Sequence, residues 1–360
     1  MPNQLPSLKH SIYYTLVLAI SVVFYYYHNP LKTNPSQQVQ PAIMTSLISR
    51  TVVKKVRSIE TAEGAGAVVR RSIGSPALRN ISPFLMLDHF RISEGSGFPD
   101  HPHRGQTTVT YMLEGQVQHE DFAGHAGTIG PGDLQWMNAG RGIMHAEMPI
   151  HRDEKGNKLP DPIGLQLWID LPKDAKKDPP SYQEFKSSQI PTALPRPTEP
   201  VETEGQGWVA KVVAGRSHGV ESPVKLPRAG GVTYIVVDLQ PGGRIFQEIP
   251  KGYQAFIYTL KGKIRVGQGE VYEQFHTLVL SNDVKDEQRE ENGVWIENAD
   301  AAEEAKLTLI SGEPLDQGVF QYGPFVLTTR EEVQQTLIDF QLGKNGFERA
   351  AGWRSTIGGR

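Results

Sequence analysis

Histidine and glutamate side chains at two places in the chain have the spacing of metal ligands. His101 and His103 are separated by one proline, and His145 and Glu147 are separated by one alanine. In a β-strand, residues two apart project from the same face, about 6.5 to 7 Å apart at the backbone. Each pair can therefore direct both side chains at one ion. On neighbouring strands of a barrel, the two pairs would supply three imidazole nitrogens and one carboxylate oxygen.

This donor set, with positions left open for water, dioxygen or substrate, suits Fe(II), although Mn, Ni, Cu or Zn can occupy the same ligands. Either pair alone indicates little, because an isolated His-x-His is more often a surface or structural pair. However, seven of the eleven histidines lie between His89 and His151. Residues 131–136, a Pro-Gly-Asp turn that leads into a strand, also return the chain towards the same end of a barrel. Together these features favour one metal site.

Other side chains in this region have two interpretations. His119 and His125 flank a glycine-containing turn and either line the site or belong to a solvated hairpin, and we expect the hairpin. Three apolar residues fit the core of a barrel as well as the wall of a substrate site: Met112, Trp136 and Met137. In the second half we expect His276 to be structural.

The elements that position these residues are predicted to be β-strands. From about residue 45 to 325, short apolar runs are separated by Gly, Pro, Asn and Asp, which is typical of an all-β sandwich or barrel. Apolar residues at 165, 167, 169 and 171 alternate with polar or aromatic ones, as in a strand with one buried face. Further strands are predicted at residues 232–239, 256–260 and 307–310. Near the end, Thr329 and Glu332 predict a helix start and Gly343 its end, with an apolar face that packs on a barrel.

The two halves of the chain resemble each other. Tyr-Met-Leu-Glu-Gly at 111–115 returns as Tyr-Thr-Leu-Lys-Gly at 258–262, each at the end of a strand-like run, which indicates a duplicated β-barrel. Prolines between residues 172 and 200 indicate an extended crossing segment. We therefore predict a first domain at 45–175, a linker at 176–204, a second domain at 205–325 and a helix with a tail at 326–360.

The first 44 residues form a separate hydrophobic segment and linker. Residues 11–27 are 17 uncharged, mostly apolar residues with aromatic residues at both ends, the short limit of a membrane-spanning helix. We expect a signal anchor, because no small-x-small cleavage site follows. Two alternatives stay open: the segment is a strand, or translation starts at Met44. Residues 28–43 are predicted to be a flexible linker.

Composition limits the chemistry. The chain has no cysteine, which excludes disulfides, thiolate nucleophiles, iron-sulfur clusters and Cys-based zinc sites. Redox chemistry must therefore depend on a His/carboxylate metal or on a bound cofactor. A formal net charge of −3 gives no electrostatic attraction to nucleic acid, so we expect no direct nucleic-acid binding.

Several motifs resemble the signature of the pirin family. They are Arg-Arg-Ser-Ile-Gly at 70–74, Phe-Pro-Asp-His-Pro-His-Arg-Gly at 98–105, His-Glu-Asp-Phe at 119–122, Pro-Gly-Asp-Leu-Gln-Trp-Met at 131–137 and Ala-Gly-Arg-Gly-Ile-Met-His-Ala-Glu-Met-Pro at 139–149. The resemblance continues through Tyr-Gly-Pro-Phe at 322–325 and Gly-Lys-Asn-Gly at 343–346.

The resemblance implies two cupin barrels in tandem. It implies one iron ion in the first barrel, held by His101, His103, His145 and Glu147, and no metal in the second. One departure stands out: cupins at large, and many pirins, carry a glutamate a few residues after the His-x-His pair, where this chain has threonines at 107 and 108.

Two functions follow from the resemblance. The first is oxygen-dependent ring opening of a flavonol such as quercetin, a small aromatic substrate, with Glu147 as the candidate base. The second is an iron- and redox-sensing co-regulator that binds transcription-factor proteins. The expected location is cytoplasmic or nuclear, or membrane-anchored through residues 11–27 if that segment is translated.

Overall fold

The structure, a computed structural model, describes residues 47–63, 66–226, 231–282 and 291–358. The predicted hydrophobic segment and linker at 1–44 lie outside these residues. Within the described ranges, no helix has both the length and the apolar character needed to cross a membrane.

The described chain is built mainly from β-strands, as predicted. The strands of the first half are β1 (Val52–Arg57), β2 (Glu60–Glu63), β3 (Ala67–Ile73), β4 (Phe84–Arg91), β5 (Phe98–His103), β6 (Gln106–Glu114), β7 (Gln116–Asp121), β8 (Ala126–Ile129), β9 (Leu134–Asn138), β10 (Ile143–Ile150), β11 (Ile163–Asp170) and β12 (Ser181–Phe185).

The second half continues the pattern and ends in a helix. Its strands are β13 (Thr192–Ala193), β14 (Gly205–Ala214), β15 (Arg216–Ser217), β16 (Val220–Glu221), β17 (Val232–Glu248), β18 (Gln254–Lys261), β19 (Lys263–Val266), β20 (Val271–Glu273), β21 (His276–Leu280), β22 (Gly293–Asn298), β23 (Ala305–Gly312), β24 (Phe320–Tyr322) and β25 (Phe325–Leu327). The helices are a 3-10 turn at Ala175–Lys177, α1 (Val201–Glu204) and α2 (Arg330–Leu342).

The first cupin barrel consists of two facing sheets. The larger has the order β12-β9-β6-β11-β4-β3-β2 and the smaller the order β5-β10-β7-β8. Strand β11 shows why the sequence folds this way: Leu165 and Leu167 are fully buried on one face, while Gln166 and Trp168 on the other face are half-buried. The metal-ligand candidates lie on the smaller sheet.

The second cupin barrel is formed by one continuous sheet in the order β1-β21-β18-β23-β17-β22-β19-β20, with β14 on β17 and β13 on β14. Its long strand β17 changes partner: the first part pairs with β23 and the second with β22. A Pro-Gly-Gly run at 241–243 separates the two parts, and glycine allows such a bend. The interior is filled by apolar side chains from these strands.

The predicted repeat is confirmed at the strand ends. Gly115 follows β6 with φ 65°, and Gly262 follows β18 with φ 72°. A Cβ atom on Gly115 would lie 2.7 Å from the backbone of Pro162, and one on Gly262 would lie 2.6 Å from the carbonyl oxygen of Glu304. Both turns require glycine, because of the left-handed backbone and the close approach.

The second barrel includes a strand that precedes the first barrel in the chain, and the two barrels share a core. Strand β1, in the predicted first domain, pairs with β21 of the second sheet, and β12, in the predicted linker, pairs with β9 of the first. The predicted linker at 176–204 therefore contributes strands to both sheets. One apolar cluster contains residues of both halves, with the rings of Phe84 and Phe256 5.4 Å apart. Next to it, the Ser72 hydroxyl is hydrogen-bonded to that of Thr277 at 2.5 Å.

The C-terminal segment returns to the first barrel. Hairpin β24-β25 reaches β5, where the Val326 amide donates to the Arg104 carbonyl at 3.0 Å. Helix α2 follows, and its residues Val333, Leu337 and Phe340 pack with Phe325 and other apolar side chains, as predicted.

Both predicted ends of this helix are confirmed. The Thr329 hydroxyl accepts from the Glu332 amide at 3.1 Å, and Gly343 adopts the left-handed conformation. The reciprocal bond of the capping box differs, because the Glu332 carboxylate accepts from the Thr328 amide at 2.9 Å.

Candidate metal centre

The two predicted ligand pairs lie on adjacent strands of the first barrel. His101 and His103 are on β5, and His145 and Glu147 are on β10. The strands are antiparallel, with His145 directly opposite His101. Opposite residues of an antiparallel pair project from the same face, so the ladder directs the ligand candidates into the barrel.

The structure brings the three histidines together. The nitrogen atoms that His101, His103 and His145 can offer to a metal lie within 4.8 Å of one another. The ring centroids are 4.3 Å apart for His101 and His145, and 4.9 Å apart for the other two pairs. Three imidazoles converge here, as the two-residue spacing predicts.

Glu147 lies beside this cluster but outside it. Its Oε1 accepts a hydrogen bond from the Thr110 hydroxyl at 3.2 Å, and its Oε2 accepts one from the Gln166 amide at 3.0 Å. The carboxyl group is buried, which raises its pKa. Its role as the fourth ligand stays a prediction.

The donor chemistry of the cluster fits a metal ion. Both ring nitrogens of His145 are buried without a hydrogen-bond partner, an arrangement that is costly unless another group engages them. The His101 Nδ1 lies 2.7 Å from the Pro99 carbonyl oxygen, so Nδ1-H donates there and Nε2 keeps its lone pair. Burial lowers the pKa of all three histidines, so at neutral pH they have the uncharged form that binds metals.

Gln106 supports the third imidazole. The His103 Nδ1 lies 2.7 Å from the side-chain amide nitrogen of Gln106, while the buried Oε1 of this glutamine has no partner. With the amide turned over, Oε1 accepts from Nδ1-H of His103, which satisfies the orphaned oxygen and leaves Nε2 free for a metal. All three histidines can therefore present a lone pair.

A cavity of about 560 Å³ adjoins the cluster, within the size range of small-molecule sites. His101, His103 and Glu147 form part of its wall. The remaining apolar wall is contributed by Val69, Met86, Phe90, Phe98, Pro99, Trp168 and Pro324. The Trp168 ring lies 5.2 Å from that of His103, and its indole N-H donates to Gln166 Oε1 at 3.1 Å.

The polar part of the wall carries excess negative charge. Of the described residues that line the cavity, Arg71 alone is cationic, whereas Glu63, Asp88 and Glu147 are acidic. Asp100 also borders the cavity, but its carboxylate contacts Ser355 on the other side of the sheet. Arg71 donates to both carboxylate oxygens of Asp88 at 3.0 and 2.7 Å, and to Glu63 at 2.7 Å. The guanidinium is thus neutralised by its own neighbours and is not free to pair with an anion.

The sequence analysis did not identify Gln166 and Trp168 as site residues. Their alternation with buried leucines was available as a signal, but it was interpreted only as a strand with one buried face. In the structure the leucine face packs in the core shared by the barrels, and the Gln166 face lines the cavity.

The other candidates are not among the described residues that line the cavity. His119 is buried and contacts Glu184 at 2.9 Å and the Tyr182 hydroxyl at 2.6 Å, so it is not part of a solvated hairpin. His125 is more exposed and contacts Asp121 at 2.7 Å. His276 contacts the Glu273 carbonyl at 2.9 Å, as a structural histidine does. Three apolar residues fitted either the barrel core or the wall of a substrate site, and all three are buried in the core: Met112, Trp136 and Met137.

Comparison with known proteins agrees with this architecture. The Pirin family model matches residues 66–169, and the Pirin C-terminal cupin domain matches residues 234–346. Pirin from Homo sapiens is 44% identical over 86% of this chain and 99% of its own length. The chain belongs to the pirin family. Pirin-like protein 2 from Arabidopsis thaliana, another family member by name, is 44% identical over 86% of this chain and 89% of its own length.

Solved structures show the same fold as this pirin-family chain. Quercetin 2,3-dioxygenase from Acinetobacter baumannii is 27% identical, with a TM-score of 0.69 over 83% of this chain and 99% of its own. The structure of GK1651 from Geobacillus kaustophilus is 29% identical, with a TM-score of 0.63 over 76% of this chain and 100% of its own.

Proposed function

We propose that this protein binds one iron ion in its first barrel and catalyses oxygen-dependent ring opening of flavonols, as a quercetin 2,3-dioxygenase does. The observation that carries the proposal is the cluster of three neutral imidazoles, two of which line a cavity, with a buried carboxylate beside it. The similarity to the Acinetobacter baumannii quercetin 2,3-dioxygenase supports it.

In this proposal His101, His103 and His145 hold the metal, and Glu147 is the fourth ligand. Fe(II) bound there would supply a Lewis acid and the one-electron chemistry that activation of dioxygen requires. The cavity beside His101 and His103 leaves room for substrate and dioxygen.

Glu147 is the group that takes the phenolic proton. Its carboxylate lines the cavity, and burial favours its protonated form, which makes it a stronger base than an exposed glutamate. Thr110 and Gln166 hold its two oxygens, and Trp168 in turn fixes the Gln166 amide. The carboxylate therefore keeps a defined orientation whether or not it contacts the metal.

The cavity favours a planar, uncharged, hydroxylated aromatic substrate. Its apolar wall suits aromatic rings, and its acidic residues disfavour carboxylates and sulfonates. Flavonols combine flat rings with uncharged hydroxyl groups, and the polar pair of Arg71 and Asp88 can hydrogen-bond to one of these.

The test is turnover by iron-loaded protein. We expect a flavonol and dioxygen to be consumed in equal amounts, because both oxygen atoms enter the product, and we expect no reaction without iron. Glu147→Gln should lower turnover about 100- to 10,000-fold, while Glu114→Gln, an exposed residue outside the cavity, should not. Loss of activity together with loss of iron in Glu147→Gln would show only a ligand role.

If iron-loaded wild-type protein leaves a panel of flavonols and catechols unchanged under oxygen, the enzyme proposal fails. The alternative is then the iron- and redox-sensing role, in which the oxidation state of the metal alters the affinity for transcription-factor proteins. Such a role requires two states with different partner affinity, which binding measurements on the reduced and oxidised protein would compare.

A further inference from the structure

Residues 355–358, the last ones that the structure describes, cross the outer face of the sheet that carries the ligand candidates. The Ser355 hydroxyl donates to Asp100 on β5, and the Ser355 amide lies 3.3 Å from the same carboxylate. The Thr356 amide donates to Glu120 on β7 at 2.6 Å, and the Thr356 hydroxyl contacts that carboxylate too. We name residues 355–358 the C-terminal strap.

The strap lies directly behind the metal ligands. The sheet order is β5-β10-β7, so a segment bound to Asp100 and Glu120 spans the central strand β10. Gly358 passes over that strand, since a Cβ atom placed on it would be 3.5 Å from the Cβ of Ala146. Ala146 is paired with Glu120 and lies between the two ligand candidates of β10.

Strand geometry connects the strap to the metal site. Neighbouring residues of a strand project from opposite faces. Asp100 immediately precedes His101, and Ala146 immediately follows His145. The strap therefore contacts the outer side of both strands at positions next to those that direct imidazoles into the barrel.

The strap also covers a β-bulge between β5 and β10. The register between β5 and β10 shifts here: His145 is opposite His101, but Glu147 is opposite Phe98, so two residues of β5 face one of β10. Such a bulge interrupts the ladder, and one of the two β5 residues in it, Pro99, has no N-H to donate. Few backbone bonds hold the two strands at this point, whereas the strap holds β5 and β7 from outside.

We propose that Ser355 and Thr356 are positioning residues, which maintain the spacing of the ligand-bearing strands and thereby slow the loss of metal. The proposal rests on the metal centre proposed above. The strap acts through Asp100 and Glu120 and touches neither metal nor substrate. Loss of its hydroxyl groups leaves the two carboxylates without those donors and allows the bulged part of β5 to move away from β10.

The test uses the full chain loaded with Co(II), whose visible spectrum reports coordination, and follows release of the metal to a chelator. Ser355→Ala/Thr356→Ala should release Co(II) roughly 10-fold faster than wild type, the lower end of the effect of residues that support metal ligands. Ser355→Thr/Thr356→Ser keeps both hydroxyl groups and should restore slow release. Ser188→Ala/Thr198→Ala, at two exposed positions outside the strap, is the matched control.

Two further measurements separate positioning from general stability. Thr356→Asp, at an exposed position, places a carboxylate against Glu120 and should also speed release without changing the thermal midpoint of the metal-free protein. Hydrogen exchange of the metal-free double alanine variant should increase in β5 and β10 and stay unchanged in the second barrel.

Wild-type release rates and spectra in the double alanine variant, with unchanged exchange in β5 and β10, would overturn the proposal. If wild-type protein retains no metal, the proposed metal centre fails, and the exchange measurement alone then decides whether the strap orders these strands.

Discussion

At the scale of single residues, the candidate site depends on buried polar groups whose partners are incomplete. His145 has two ring nitrogens without a hydrogen-bond partner, and the Gln106 Oε1 is also unpaired. Such groups normally lower stability. A metal ion bound by three neutral imidazoles would engage His145 and orient Gln106 towards His103, so the same binding event satisfies several groups.

The first prediction at this scale concerns metal content. Wild-type protein should bind one iron per chain, whereas His101→Ala and Glu147→Ala should each lose most of the metal and keep the fold, because the barrel core does not depend on the ion. Elemental analysis after gel filtration measures the content, with circular dichroism as the check on folding. His125→Ala, a histidine outside the cluster, is the matched control. Full occupancy in both ligand variants would refute the ligand assignment.

The second prediction concerns selectivity of the cavity. Asp88→Asn removes one of the two carboxylates that neutralise Arg71. The guanidinium can then attract an anion more strongly. We expect iron-loaded Asp88→Asn to bind 3,4-dihydroxybenzoate roughly 10-fold more tightly than wild type does, consistent with about 1.5 kcal/mol for a hydrogen bond to a charged group. Affinity for uncharged catechol should change little.

Titration calorimetry with both ligands provides this comparison. Asp238→Asn is the control, since Asp238 pairs with Lys306 at 2.8 Å on an exposed part of the second barrel. Unchanged discrimination between the two ligands in Asp88→Asn would show that Arg71 does not influence selectivity.

At the scale of elements, the C-terminal helix α2 is attached to the metal-binding barrel by a buried ion pair. The Arg104 guanidinium donates to Asp339 at 2.9 Å, to the Thr336 hydroxyl at 3.0 Å and to the Asn345 carbonyl at 2.6 Å. Both charged side chains are less than one tenth exposed. Arg104 follows His103 directly, so the helix anchors the end of the strand that carries two ligand candidates.

The prediction for this element is a large loss of stability on breaking the pair. Asp339→Ala leaves the Arg104 charge buried without its partner, which typically costs about 3 to 5 kcal/mol. Urea unfolding of the metal-free protein measures the change in the free energy of unfolding. Asp316→Ala, at an exposed position, should change it little. A loss below about 1 kcal/mol, the size expected of a surface pair, would contradict this account of the helix anchor.

At the scale of the whole molecule, the two barrels belong to one compact unit. They share an apolar cluster, and β1, which precedes the first barrel in the chain, pairs with β21 in the sheet of the second. His89 lies at this junction with its ring 5.9 Å from that of Tyr258, and burial lowers its pKa to about 4. The first barrel is built from the continuous run of strands β2 to β12, whereas the second barrel also includes β1, which precedes the first barrel in the chain.

We therefore predict that a chain beginning at Met44 is soluble and unfolds in a single transition. Both barrels, including strand β1 of the second sheet, and the closing helix lie within residues 47–358. Coincident urea transitions by circular dichroism and by tryptophan fluorescence measure cooperativity, with the full chain as the reference. An insoluble product that only the full chain corrects would show that the first residues are needed for folding, and two separate transitions would show that the barrels unfold independently.

The sequence by itself determined the features that depend on local periodicity. Ligand spacing of two residues directs His101 and His103 to one face of any strand, so their convergence was predictable. The strand pattern, the paired turns at Gly115 and Gly262 and the ends of the last helix follow from similarly short-range rules.

Tertiary structure decided what depends on distant pairing. Periodicity shows that β11 has two faces, but both are partly covered, and only the packing of the barrels decides that Gln166 faces the cavity. The pairing of β1 with β21 and the contact of Ser355 with Asp100, 255 positions away, involve segments with no shared local signal. Short-range rules constrain backbone conformation within a few residues. Contacts between distant segments are instead determined by the burial and hydrogen bonding of the complete chain.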